Sequence, residues 1–131
     1  MQKTVQIYSK PDNLRIIENI IDDISSETKL ATDIYGKVLI ATVEAVNNAI
    51  IHGNKSDDKK RVFIKFMSND KVLKIRIEDE GEGFDYTNIP DPTSPENLEN
   101  IHGRGVFLMS KLSDDINFEN EGSLVELVFK L

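Results

Sequence analysis

The sequence contains no cysteine among its 131 residues. Disulfide bonds, thiolate zinc sites and cysteine nucleophiles are therefore excluded, because each of them needs a thiol group. The chain also lacks an excess of basic residues, since 16 lysines and arginines stand against 23 aspartates and glutamates, giving a net charge of −7. Proteins that bind nucleic acids or anionic membranes nonspecifically need a basic surface, so we expect neither of these classes.

Several familiar motifs are absent as well. The Walker A ending Gly-Lys-Ser/Thr, the dinucleotide-binding fingerprint and the Gly-x-Ser-x-Gly elbow are all missing. The histidines have no zinc-ligand spacing, so we expect His52 to pack at a helix end and His102 to lie in a loop. No apolar run approaches membrane-spanning length and the first residues do not resemble a signal peptide, which together favour the cytoplasm.

The composition, with 39% hydrophobic and 30% charged residues, is that of a globular domain. The length fits a single domain over residues 1–131, with a core large enough to fold alone. Alternation of apolar and polar residues predicts strands at 4–9, 62–67, 72–78, 115–119 and 123–131. Helical periodicity predicts one helix from about 14 to 26, a second from about 30 or 32 to 52, and a third at 106–112.

Between the third strand and the last helix, residues 85 to about 104 contain three prolines and little apolar periodicity. A stretch of this kind in a compact domain is usually a functional lid or disordered. The resulting order, β-α-α-β-β-lid-α-β-β, predicts an α+β sandwich with helices on one face of a mostly antiparallel sheet.

The central helix carries the first candidate site. Apolar residues at every fourth position predict that the stretch 40–53 ends a long amphipathic helix, which Gly53 terminates. On a second face Glu44, Asn48 and His52 also repeat every four residues, so their side chains project together. A carboxylate can take a proton, and a carboxamide oxygen suits magnesium. Ordinary amphipathic helices show the same short pattern, so its meaning depends on the rest of the chain.

The second candidate segment, 79–83, directly follows a predicted strand. An aspartate at a strand end, here Asp79, can accept a hydrogen bond from an exocyclic amine. The two glycines spaced by one residue, Gly81 and Gly83, let the backbone approach a flat ring closely or adopt positive φ. In isolation, the same residues also fit an acidic glycine-rich turn.

The third candidate segment, Gly103-Arg104-Gly105, precedes the last predicted helix. Backbone N–H groups at a helix N-terminus bind anions, and the helix dipole favours negative charge there. The Arg104 guanidinium could add a charge-assisted hydrogen bond to a phosphate. In isolation, this segment also fits a helix-entry turn with a surface arginine.

Taken in order, these segments resemble the motifs of the GHKL ATPase superfamily, which has the Bergerat (histidine kinase-like ATPase) fold, a two-layer α/β sandwich. More narrowly, Val-Glu-Ala-Val-Asn-Asn-Ala-Ile-Ile-His-Gly at 43–53 resembles the first motif of the bacterial anti-sigma factor serine/threonine kinases of partner-switching systems. Residues 90–98 and 103–109 are similar to the lid and last motif of that subfamily. The resemblance extends over residues 4–131.

The resemblance implies a role for each matching residue. Glu44 would be the general base that removes the proton of the acceptor hydroxyl, and Asn48 would hold Mg²⁺ between the phosphate oxygens. Asp79 would accept a hydrogen bond from the adenine amine. The glycines Gly81 and Gly83 would shape the space around the adenine ring.

At the other end of the nucleotide, Gly103, Arg104 and Gly105 would close over the β- and γ-phosphates. Ser123 stands where the family often has a threonine near the adenine, and it retains the hydroxyl group. Two acidic neighbours of the adenine-binding aspartate are expected to face solvent: Glu80 and Glu82.

The resemblance thus implies an ATP- and Mg²⁺-dependent protein serine/threonine kinase that is also an anti-sigma factor. Its acceptor would be a serine of a small anti-anti-sigma antagonist of the STAS type, and in its other state it would bind a sigma factor as a homodimer. One alternative is a non-catalytic module in which ATP orders the lid and the ordered face binds a partner. A further alternative is the detached catalytic domain of a histidine kinase, whose product would be an acid-labile phosphohistidine.

Overall fold

The computed structural model describes residues 1–83 and 101–131, with side chains for 1–83 and 105–131. The predicted lid, from residue 85 to about 104, lies mainly outside these ranges. The described elements are strand β1 (Gln2–Tyr8), helix α1 (Leu14–Thr28), helix α2 (Thr32–Asn48), strands β2 (Arg61–Ser68) and β3 (Val72–Glu78), helix α3 (Ile101–Leu112), and strands β4 (Asp115–Glu119) and β5 (Leu124–Lys130). Short 3₁₀ turns occupy Pro11–Asn13 and Asn120–Gly122, and a π-helical turn, Ala49–Gly53, extends α2.

Within the described ranges, the strands form one five-stranded sheet in the order β1-β2-β3-β5-β4, and every neighbouring pair is antiparallel. The alternating sequence of each strand places apolar side chains on one face of this sheet. One apolar row crosses all strands through directly paired residues: Val5, Ile64, Ile77, Val125 and Phe118. The last three residues of this row reach the candidate site described below.

The helices contribute to the core on the apolar face of the sheet. Helix α1 buries Ile17, Ile21 and Ile24, which recur at helical spacing and are at most 1% exposed. Burial of each isoleucine side chain stabilises the fold by about 1.5–3 kcal/mol. Helix α2 buries small residues, Ala41 and Ala45, which let it approach its neighbours closely.

The predicted α+β sandwich with helices on one face is therefore confirmed, and the described sheet is entirely antiparallel. Two helix boundaries differ from the prediction. Helix α1 continues past its two serines to Thr28, whose hydroxyl donates to the Ile24 carbonyl, and Lys29 then ends it in the left-handed conformation. Helix α3 begins at Ile101 rather than after Gly105, since glycine weakens a helix without preventing it.

The helical run Thr32–Gly53 has the length and apolar composition to cross a membrane, by those two criteria alone. In the structure it is a core helix that packs against the sheet and the other helices. Burial in this core accounts for its apolar sequence.

Gly36 provides a test of the packing around α2. It lies in the helix, and a Cβ added there would meet no atom within 4 Å. We expect Gly36→Ala to raise the free energy of unfolding by about 0.5–1 kcal/mol, because alanine loses less backbone entropy in a helix. Urea unfolding should show a higher midpoint with an unchanged slope. A lower midpoint would contradict the open space seen beside this residue.

Candidate active site

A cavity of about 240 Å³ lies between the C-terminal end of α2 and the strands β3 and β5. Few polar groups line it, and they come from different elements of the fold. A mostly apolar concave surface with a small number of convergent polar groups is typical of a small-molecule site. The apolar walls are formed by Ala45, Ala49, Ile77, Val106, Met109, Phe118 and Val125.

Four of the predicted site residues line this cavity together: Asn48, Asp79, Gly83 and Ser123. They meet because β3 and β5 are neighbours in the sheet and α2 packs across the same face. Among the described residues, Glu44 is not part of the lining and lies half-buried one turn before Asn48 on α2. Gly81 is also outside the lining, and it contacts Gly53, which is part of the lining.

Asp79 follows directly after β3 and is held by two hydrogen bonds. Its backbone N–H donates to the Ser123 carbonyl at 2.9 Å, and its carboxylate accepts from the Gly81 N–H at 2.8 Å. Burial raises the pKa of Asp79 above its ordinary value of 3.8, and the hydrogen bond from Gly81 opposes this rise. The result is a carboxylate of fixed position at the cavity wall, suited to accept a hydrogen bond from an amine.

Three residues approach one another closely beside the Asp79 carboxylate: Gly53, Asp79 and Gly81. A Cβ on Gly53 would lie 2.2 Å from a carboxylate oxygen of Asp79, and a Cβ on Gly81 would lie 2.0 Å from the Gly53 carbonyl oxygen. The Asp79 carboxylate thus occupies the space that a side chain at residue 53 would need. The sequence predicted only that Gly53 ends a helix, and nothing in its neighbours indicates a partner so distant along the chain.

Gly83 and Ser123 form the opposite edge of the cavity with the turn before β5. Gly83 has a φ of +86°, and a Cβ there would lie 2.1 Å from the Glu121 carbonyl oxygen. The Ser123 hydroxyl donates to the Asn120 carbonyl at 2.9 Å. Glycine is therefore required at residue 83 both by its backbone conformation and by the close approach of the turn.

Asn48 is the buried polar group of α2 at the cavity, with 8% of its surface exposed. Its Nδ2 has no hydrogen-bond partner among the residues whose side chains are described. A Cβ on Gly105 would lie 2.7 Å from this atom, so α3 approaches the amide closely. Nδ2 is an N–H donor and cannot bind a cation, whereas the oxygen of the same amide is a hard ligand that fits magnesium together with phosphate oxygens and water.

His52 lies in the π-helical turn that extends α2, and it lines the cavity as well as packing at the helix end. In this turn the Asn54 N–H donates to the Ala49 carbonyl at 2.8 Å, which is the wider spacing of a π-helix. Burial lowers the pKa of His52 below its ordinary value of 6.5, which favours the neutral imidazole. π-Helical turns of this kind occur frequently at functional sites.

The segment predicted to bind phosphate differs from its predicted position. Because α3 begins at Ile101, Gly103 lies in the first helical turn rather than before the helix. In a helix that starts at Ile101, only the first few backbone N–H groups, including that of Gly103, lack an intrahelical acceptor, and such groups can bind an anion. The predicted hydrogen bond from Arg104 to a phosphate depends on its side chain, which lies outside the part of the chain whose side chains are described.

Residues 7–129 match the model of the histidine kinase-like ATPase domain, and the chain belongs to this family of ATP-binding domains. The serine-protein kinase RsbW of Listeria monocytogenes serotype 4a is 26% identical over 126 residues, covering 91% of this chain and 80% of that protein. RsbW of Bacillus subtilis strain 168 is 24% identical over 132 residues, covering 96% and 82%. RsbW of Bacillus licheniformis is 29% identical over 117 residues, covering 85% and 73%.

These comparisons confirm the resemblance to the anti-sigma serine kinases of the GHKL superfamily that the motifs indicated. The names of the relatives also support the predicted enzyme class, a protein serine/threonine kinase.

The raised pKa of Asp79 leads to a prediction about stability and pH. A carboxyl group whose pKa is higher in the folded chain destabilises the fold while it is ionised. This penalty begins to shrink as the pH falls to the folded pKa and is gone below the pKa of the unfolded chain. Asp79→Asn keeps an oxygen for the Gly81 N–H and removes the buried charge. We therefore expect Asp79→Asn to be more stable than the unsubstituted chain at pH 7, and this difference to shrink at acidic pH.

Thermal unfolding of both proteins without nucleotide, from pH 7 down to the ordinary pKa of aspartate, measures this difference. A variant that is less stable at pH 7 would show that burial does not penalise the charge of Asp79.

Proposed function

We propose that this chain is an ATP- and Mg²⁺-dependent protein serine/threonine kinase and anti-sigma factor of a partner-switching system, acting as a single domain over residues 1–131. The observation that carries the proposal is the convergence of Asp79 and Asn48 on one mostly apolar cavity. Asp79 supplies an acceptor for the adenine amine, and Asn48 supplies an uncharged ligand for the cation beside the phosphates. Membership in the histidine kinase-like ATPase family supports this assignment.

At the base end of the nucleotide, the Asp79 carboxylate accepts a hydrogen bond from the adenine amine. The ring lies between the apolar side chains of Ile77, Met109 and Phe118, which line the same cavity. Gly83 shapes this edge by letting the turn before β5 lie against it, since any side chain there would collide with the Glu121 carbonyl. Gly81 maintains the position of Asp79 through its N–H, and the Ser123 hydroxyl provides a polar group at the same edge.

At the phosphate end, the Asn48 amide oxygen holds the cation, and the first turn of α3 presents backbone N–H groups to the β- and γ-phosphates. Gly105 lets α3 lie close to α2, since a Cβ there would lie 2.7 Å from the Asn48 Nδ2. Gly103 and Arg104 belong to the same helix, and Arg104 adds positive charge beside the phosphates. Magnesium, when bound, neutralises charge that develops on the phosphate oxygens.

Glu44 is the general base of the transfer. It removes the proton from the serine hydroxyl of the acceptor, whose oxygen then bonds to the γ-phosphorus. The bond from that phosphorus to the β–γ bridging oxygen breaks, and ADP leaves with the electron pair. Because Glu44 precedes Asn48 by four residues on α2, one rigid helix fixes both groups.

The acceptor is a serine of a small anti-anti-sigma protein of the STAS type, and the alternative partner is a sigma factor, bound by a homodimer of this chain in the cytoplasm. The chain thereby regulates transcription without binding nucleic acid itself. Its net charge of −7 supports this separation from nucleic acid and from anionic membranes. Similarity to the RsbW serine-protein kinases supports the choice of serine as acceptor.

Transfer of label from γ-labelled ATP in a cytosolic extract of the source organism tests the proposal. We expect an acid-stable phosphoserine on one small protein, dependent on magnesium. An acid-labile phosphohistidine would instead favour the histidine kinase alternative. Nucleotide-dependent capture of a partner without any transfer would favour the non-catalytic module.

A further inference from the structure

Asn54 lies in the polar segment 53–61, which its sequence predicts to be a solvated turn, yet the side chain is completely buried. Its hydrogen-bonding groups are all used. Nδ2 donates to the Ser9 hydroxyl at 2.8 Å and to the Arg61 carbonyl at 3.0 Å, and Oδ1 accepts from the Glu80 N–H at 2.8 Å. One amide therefore joins the end of β1 and the start of β2 to the residue after Asp79.

The hydrogen bond that Asn54 Oδ1 accepts from Glu80 is one of three hydrogen bonds connected in series. The Glu80 N–H donates to Asn54, Asn54 donates to Ser9, and the Ser9 hydroxyl donates to the Lys60 carbonyl at 2.8 Å. Hydrogen bonds in series polarise and strengthen one another in a buried environment. The Arg61 N–H also donates to the Glu80 carboxylate at 2.6 Å. Both the backbone and the side chain of Glu80 are thus attached to the adjoining strand ends.

Gly53 and Asn54 together contact each residue of the turn 79–81. The Asp79 carboxylate lies against Gly53, the Glu80 N–H is bonded to Asn54, and Gly81 lies against the Gly53 carbonyl. The turn that carries the adenine acceptor is consequently held from the α2 side by two consecutive residues. Among the described residues that line the cavity, Asn54 does not appear, so it acts on the site only through its neighbours.

We infer that Asn54 is a positioning residue for base recognition. By fixing the Glu80 N–H, it holds the preceding carboxylate of Asp79 where that group accepts from the exocyclic amine of adenine. The inference rests on the proposed function of the cavity as an ATP site. It assigns Asn54 a part in the choice of base, in addition to its part in joining the strands.

The test compares ATP with inosine triphosphate, in which a carbonyl replaces the exocyclic amine, by measuring both dissociation constants. We expect Asn54→Ala to reduce the preference for ATP by about three- to tenfold, the effect of losing one buried hydrogen bond. Ser9→Ala is the matched control, because it removes a bond to Asn54 and keeps the bond from Glu80. It should lower the unfolding midpoint and leave the preference unchanged.

Should Asn54→Ala not fold, Asn54→Ser replaces it, since its hydroxyl is one atom shorter than the amide arm. Amide hydrogen exchange of Glu80 without nucleotide should then be faster than in the unsubstituted chain. A folded variant that lacks the acceptor and keeps the full preference for ATP would overturn the inference, whatever its Glu80 exchange rate, and would leave the proposed function standing. An unsubstituted chain that does not bind ATP would overturn both.

Discussion

Glu44→Gln should lower the rate of phosphoryl transfer by about 10²–10⁴-fold, the usual contribution of a general base. The glutamine side chain has the same shape and cannot accept the hydroxyl proton. ATP affinity should remain close to that of the unsubstituted chain, because Glu44 is not among the described residues that line the cavity. Single-turnover transfer from labelled ATP, together with direct titration of ATP, separates these two quantities.

The matched control is Glu18→Gln, which makes the same chemical change at an exposed position of α1. It should transfer phosphate at the unsubstituted rate. Full transfer by Glu44→Gln would show that another group takes the proton, and a parallel loss of ATP binding would show that Glu44 serves the nucleotide instead.

Gly81→Ala should weaken ATP binding by about 10- to 100-fold, and it should also lower the free energy of unfolding by about 1–3 kcal/mol, as overpacked substitutions do. The added Cβ would lie 2.0 Å from the Gly53 carbonyl oxygen, and the backbone of either residue must move to admit it. Because the Gly81 N–H donates to Asp79, that movement displaces the carboxylate that we propose as the adenine acceptor. Calorimetric titration of ATP and urea unfolding measure the two effects.

Gly36→Ala makes the same substitution where no atom lies within 4 Å, so it serves as the matched control and should bind ATP normally. Normal ATP binding by Gly81→Ala would mean that the contact between residues 53 and 81 does not govern the position of Asp79.

Local periodicity was sufficient to predict the strands and the main helices, whereas the sandwich was predicted partly from the family resemblance and the order of the strands in the sheet was not predicted. The alternation in β2 and β3 determines which side chains face the core, and the pairing of Ile64 with Ile77 follows from it. The spacing of Glu44 and Asn48 likewise predicted that both side chains project from one helix. These features depend on residues close together in the sequence, and for that reason the sequence reveals them.

The contacts that support the site depend on residues far apart in the sequence. The packing of Gly53 against Asp79 and the burial of Asn54 beside Glu80 arise only when α2 and β3 meet in the fold. A polar segment such as 53–61 gives no local indication that one of its asparagines is buried. The start of α3 was placed too late for a related reason, because packing overrides the low helix propensity of glycine.

The central claim is that the cavity at the end of α2 binds ATP, with the base at Asp79 and the cation at Asn48. A crystal structure of the chain with a nonhydrolysable ATP analogue and magnesium tests it most directly. We expect the adenine amine within hydrogen-bonding distance of the Asp79 carboxylate, and the Asn48 amide oxygen among the ligands of the magnesium ion. A nucleotide bound elsewhere, or bound in this cavity with its base away from Asp79, would contradict the claim.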